Sequence, residues 1–89
     1  MNKFMNKQQL KDQWATTFTP LLGRTINGIR WMTDNEQTER DWQRAPIVIT
    51  LDDGTRLYPS ADDEGNDAGA LFVEPGKLTP NIEPIAPVI

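Results

Sequence analysis

Pro46-Ile47-Val48-Ile49-Thr50-Leu51-Asp52-Asp53-Gly54-Thr55-Arg56-Leu57-Tyr58-Pro59 is the stretch that decides the fold. Ile47, Ile49 and Leu51 alternate with Val48 and Thr50, the period of a β-strand. Pro46 opens that strand, where a missing N–H does least harm. Asp52-Asp53-Gly54 then demands a turn, and the length of the turn sets the register. A two-residue loop of Asp53-Gly54 pairs Leu51 with Arg56 on the apolar face. A three-residue loop closes on Leu51 and Thr55 and sets Ile49 opposite Leu57. It also puts Gly54 at the left-handed position of a type I turn with a bulge. A slip of one residue moves every side chain to the other face, so the apolar pairing selects the three-residue loop. The second arm is Thr55 to Tyr58, ended by Pro59.

Upstream, Arg24 to Thr33 is rich in β-formers, but Ile26 and Ile29 have opposite parity. A bulge at Asn27-Gly28 restores Ile26, Ile29 and Trp31 to one side. Residues 34–44 are polar apart from Trp42 and predict a long solvated connection, with room for one helical turn. Trp42 is expected to fold back as a lid on the core, with a ligand-stacking role as the alternative. Residues 2–18 predict a helix, with Leu10, Trp14 and Phe18 on one face. Its apolar stripe reads as packing on the chain's own sheet, with partner binding as the alternative. Pro20 ends it, and Thr19-Pro20 starts one more turn, closed by Gly23.

Downstream, Ser60 to Gly69 is an acidic loop, and Ala70 to Glu74 predicts the last strand. The segment from Pro75 onward holds four of the seven prolines, so it cannot supply a central strand. Its Leu78, Ile82, Ile85 and Ile89 are too apolar for plain disorder. It is expected to run extended over its own sheet or over a neighbouring protein.

The composition excludes several kinds of chemistry. The 89 residues contain no cysteine and no histidine, which removes disulfides and the usual ligands of zinc, copper, haem and iron–sulfur centres. Ser–His and Cys–His nucleophiles are excluded with them. The net charge is −4, and the five arginines lie apart, so no basic face exists for nucleic acid. Residues 1–13 hold no apolar run of signal-peptide length, and no segment approaches a membrane span. The expectation is a cytoplasmic protein that engages neither nucleic acid nor membrane.

Asp62, Asp63, Glu64 and Asp67 fall within six positions. Hard cations take several oxygens from such a loop. An EF-hand register fails, because Ser60 stands at its first position and Leu71 at its twelfth. A non-EF calcium or magnesium site of Asp62, Glu64, Asn66 and Asp67 is one reading. The other is structural, with Asp and Asn side chains accepting backbone N–H bonds within the loop. Paired carboxylates perform acid–base work only when a shielded pocket raises one pKa, and a solvated loop offers none.

The stretch Pro46 to Phe72, with its Leu51-Asp-Asp-Gly54 turn, Leu57-Tyr-Pro-Ser60 end and Asp62-Asp-Glu-Gly-Asn66 loop, resembles a group of small uncharacterised bacterial proteins. The likeness covers about residues 21–73, since Leu22-Gly23 and Ile26 also fit. It implies a small helix-plus-sheet domain and brings no activity and no catalytic residue.

The expectation is therefore an α+β domain over residues 1–75, with residues 76–89 as a Pro-rich extended tail. The N-terminal helix packs on a curved four-stranded antiparallel sheet, strongly bent or partly closed like a small barrel. The expected core is Leu10, Trp14, Phe18, Leu22, Ile26, Ile29, Trp31, Ile47, Ile49, Leu51, Leu57, Leu71 and Val73. Val48, Tyr58 and Phe72, on the second face, are expected to stay partly wet, which invites a homodimer or a protein partner. The functional expectation is a non-enzymatic interaction or accessory protein without a cofactor. Its contacts are Asp62, Asp63, Glu64, Trp42, Ile82 and Ile85. A divalent-cation domain is the alternative, and an enzyme of unknown type stands third.

Overall fold

The computed structural model describes residues 6–60 and 68–89. Helix α1 (Lys7–Thr17) and a 3₁₀ turn (Thr19–Leu21) lead into strand β1 (Ile26–Trp31). Helix α2 (Asp34–Arg40) follows, then β2 (Ile47–Leu51), β3 (Arg56–Pro59), β4 (Leu71–Glu74) and β5 (Ile85–Ala86). The five strands form one antiparallel meander in chain order. Four strands in a curved sheet, open or partly closed like a small barrel, were expected. Among the described residues the sheet has five strands and stays open, with β1 and β5 at its two edges.

The deciding stretch folds as its pattern requires. Ile49 faces Leu57, Leu51 N donates to Thr55 O at 2.8 Å, and Gly54 has φ 89°. The bulge also forms, with the β1–β2 register shifting between Ile26 and Gly28. Ile26, Ile29 and Trp31 consequently lie opposite Leu51, Ile49 and Ile47, all on one face.

The buried cluster lies on the other face, while Leu51 and Val73 are buried on the first. Met32, Val48 and Tyr58 form the buried cluster, with Trp42, Ala45 and Phe72 packed on it. Of the thirteen expected core residues only Leu51 and Val73 are buried, at 5% and 2% exposure. Leu22, Ile26, Ile29, Trp31, Ile47 and Leu71 are exposed, while Leu10, Trp14, Phe18, Ile49 and Leu57 are half-buried. Strand parity grouped the residues correctly, but both groups are apolar. Parity cannot tell which apolar face receives the cover.

Helix α1 is shorter than expected, because Asn6 caps it. Asn6 Oδ1 accepts from Gln9 N at 2.8 Å, and Gln9 Oε1 accepts from Asn6 N at 2.9 Å, a capping box. None of its residues is buried, so it supplies no core. Its Lys11, Trp14, Ala15 and Phe18 face Ala86, Pro87 and Ile89 across an open groove of about 340 Å³.

The tail returns to its own sheet. Val73 N donates to Pro84 O at 2.8 Å, and Ile85 and Ala86 then pair with Phe72 and Leu71. Pro84 and Pro87 bracket this strand, which can therefore only be an edge. A buried polar chain fastens the tail to the β2–β3 turn. Thr55 Oγ1 donates to Asp53 Oδ2 at 2.9 Å. A hydroxyl has one proton, so Thr79 Oγ1, 2.7 Å away, donates to Thr55 Oγ1. Thr79 in turn accepts from Gly76 N at 2.8 Å. Burial works against the Asp53 charge. Hydrogen bonds from Thr55 Oγ1, Thr55 N and Leu78 N outweigh it and hold the carboxyl below its ordinary value.

Gly76 packs on the turn so closely that a Cβ would meet Thr55 N, and Asp53 O at 2.6 Å. Gly76→Ala is therefore expected to lower stability by about 1–3 kcal/mol, read as a lower urea midpoint. Thr79→Val, which strands Gly76 N and removes the donor to Thr55 Oγ1, should cost about 1–3 kcal/mol. In both variants limited proteolysis should cut earlier after Lys77.

Candidate interaction surface

The two sheet faces differ in what covers them. On the face that carries Val48, Tyr58 and Phe72, α2 and Trp42 form a lid. Thr33 and Glu36 make a capping box that starts α2: Thr33 Oγ1 accepts from Glu36 N at 3.2 Å, and Glu36 Oε1 accepts from Thr33 N at 2.9 Å. Asp41, at φ 56°, ends the helix in the left-handed region. Trp42 N donates back to Gln37 O at 2.9 Å. This reversal swings the indole onto the sheet, with its ring centroid 6.0 Å from Tyr58 and 5.7 Å from Phe72.

Ion pairs rivet the lid. Arg30 Nη1 and Nη2 donate to Glu36 Oε1 and Oε2 at 2.7 and 3.0 Å, a two-pronged pair. Arg40 donates to Glu74 Oε2 through Nη2 and to the Tyr58 hydroxyl through Nε at 3.2 Å. Arg56 Nε lies 3.0 Å from the other oxygen of Glu74. The Arg30 guanidinium, followed by the Thr33 N–H, pulls the Glu36 carboxyl down to about 2. Arginines engage both Glu36 and Glu74, and for Glu36 this favours the ionised form over one poised for proton transfer.

The opposite face is open along β1 and β2. Ile26, Ile29, Trp31 and Ile47 show 55%, 64%, 70% and 38% of their surface. Trp31 and Ile47 are register partners, as are Ile29 and Ile49, so these side chains form one continuous apolar strip. Scattered exposed hydrophobes are ordinary; a contiguous apolar strip that includes a tryptophan is a candidate contact surface.

The residues singled out from sequence fall in different places. Asp62, Asp63, Glu64, Asn66 and Asp67 lie outside the described residues. Among the described residues no three acidic side chains come together to hold an ion, and no helix is long and apolar enough to cross a membrane. Trp42 is the lid rather than an open platform. Ile85 is the β5 partner of Phe72, so it and Trp42 flank the same ring, and Ile82 is half-buried in the tail. The sequence reading missed Ile26, Ile29, Trp31 and Ile47 as surface. It assigned them to the interior and left Val48, Tyr58 and Phe72 wet, and the structure exchanges the two sets. The signal that distinguishes them is the Thr33–Glu36 capping box, which marks a helix at residues 34–40 and hence a cover for the Val48 face.

No family model matches the chain, no curated protein matches it, and no solved structure matches it.

Because folding lowers the Glu36 pKa, its contribution is complete above the ordinary carboxylate value. It is lost as pH falls from about 4.5 toward about 2. Glu36→Gln should cost about 1 kcal/mol at neutral pH, and its melting temperature should vary less than wild type across that acid window. Trp42→Ala should cost about 2–4 kcal/mol, whereas Trp31→Ala should stay within about 0.5 kcal/mol. Parallel denaturant melts compare the two.

Proposed function

We propose that this chain is a small non-enzymatic interaction protein that binds another protein through the open apolar strip of β1 and β2. The observation that carries the reading is the exposure of Ile29 and Trp31, at 64% and 70%, beside Ile26 and Ile47 on one face. Water leaves this strip only when something else covers it, and its burial supplies the driving force for association. The scaffold behind it is rigid: the lid, the ion pairs and the tail latch all act on the far face or on the β2–β3 end. A contact surface presented on strands needs little ordering on binding. The lack of histidine and cysteine and the arginine-engaged carboxylates support a binding role over a catalytic one. The acidic residues 62–67 supply a second, charged contact region in this reading.

Immobilised wild type, Trp31→Ala and Ile29→Ala, each checked for an unchanged melt, should be compared by mass spectrometry of what they retain from a cell extract. At least one protein should be held by the wild type and lost by both variants. Identical retained sets on all three baits would refute the assignment of the contact to this strip.

A further inference from the structure

Resting on that reading, we infer that the partner at this region is a second copy of the chain, joined β1 to β1 across a two-fold axis, so that the sheet continues through both copies and the two apolar strips lie side by side.

The two edges of the sheet are built in opposite ways. The β5 edge has two residues and is bracketed by Pro84 and Pro87, a design that refuses a further strand. The β1 edge is six residues long, Ile26-Asn-Gly-Ile-Arg-Trp31, with no proline and no lysine. Its single charge, Arg30, is engaged by Glu36 at 2.7 Å. The protection that β5 carries is absent from β1.

The outward peptide groups belong to the two most exposed large apolar side chains of the strands, Ile29 and Trp31. Met32 N donates to Pro46 O at 2.9 Å, which fixes the phase of the ladder. Antiparallel pairing alternates, so Gly28 and Arg30 turn their peptide groups toward β2 while Ile29 and Trp31 turn theirs to the open edge. The Trp31 carbonyl already accepts from Arg30 Nη1 at 3.1 Å and keeps a second lone pair for an incoming strand.

Two such edges complement each other. With Arg30 on the two-fold axis, Ile29 of one copy faces Trp31 of the other, and the reverse pair repeats it. Both are hydrogen-bonded positions, and both unite an aromatic with a β-branched side chain, a favourable cross-strand match. Each Arg30 arrives with its own Glu36, so the centre of the joint holds two arginines and two carboxylates in alternation rather than a naked like-charge pair. Edge pairing buries the outward peptide groups and only the flanks of Ile29 and Trp31, well under about 1,200 Å², the size of a weak interface. The dimer should therefore be weak and appear only toward the upper end of the concentration range. Because each copy carries a net charge of −4, added salt should tighten it by screening.

Sedimentation equilibrium of the full chain from about 5 µM to about 1 mM, at low and high salt, is the test. The expected result is a monomer–dimer equilibrium that strengthens with salt and is abolished in Ile29→Lys and Trp31→Lys, whose dilute melting temperatures match wild type. The chain has no cysteine, so Arg30→Cys carries a single thiol, placed at a non-hydrogen-bonded position on the axis where Cα atoms approach to about 4.5 Å. Mild oxidation should link it into covalent dimers, whereas Thr38→Cys on α2 should not link. A chain that stays monomeric near 1 mM overturns self-pairing, as does a dimer that survives both lysine variants. If the monomer still captures a protein in a Trp31-dependent way, the interaction reading stands and only the second copy falls. If that capture is lost as well, both fall.

Discussion

A thin sheet with two apolar faces, one lidded and the other covered only around Leu51 and Val73, is the constraint on which this structure depends. Val48, Tyr58 and Phe72 line one side, and Ile29, Trp31, Ile47 and Ile49 line the other. In a chain of 89 residues, the surface-to-volume ratio leaves few elements to lay over either. The lid settles the competition. Once Trp42 packs between Tyr58 and Phe72, and Arg30 and Arg40 tie α2 to the sheet through Glu36 and Glu74, the Val48 side becomes the interior. The strip on β1 and β2 is left to solvent.

The two ends of the chain divide the remaining work unequally. The tail adds a strand, and its Gly76–Thr79 segment plugs the β2–β3 turn through a run of hydrogen bonds in which every hydroxyl has a place for its one proton. Helix α1 holds together by its own capping box and by the Trp14–Phe18 stack, with centroids 6.0 Å apart. It half-covers its stripe near the C-terminal residues and gives nothing to the buried cluster. Stability is thus concentrated in the lid and the latch, and neither blocks the open strip. The same economy that limits the core leaves an apolar strip uncovered.

The Asp52-Asp53-Gly54 turn, the register it imposes, the bulge at Asn27-Gly28, the stop at Pro20 and the return of Trp42 as a lid were all legible in the chain. Each is decided locally, by positive φ at a glycine, a proline's missing donor, or the two-residue period of a strand. Strand number was not legible, because a two-residue strand between prolines carries no periodicity and forms only when β4 offers it an edge. The candidate surface was half legible: its members were grouped correctly by parity but placed inside.

By itself, then, the sequence determined which side chains travel together and which reactive groups are missing, since period, turn chemistry and composition are properties of neighbours along the chain. Only the tertiary structure decided which of two equally apolar groups lies under cover. That choice rests on long-range contacts, Arg40 with Glu74 and Trp42 with Phe72, between residues about thirty positions apart. Their partnership leaves no mark on the local pattern of either segment.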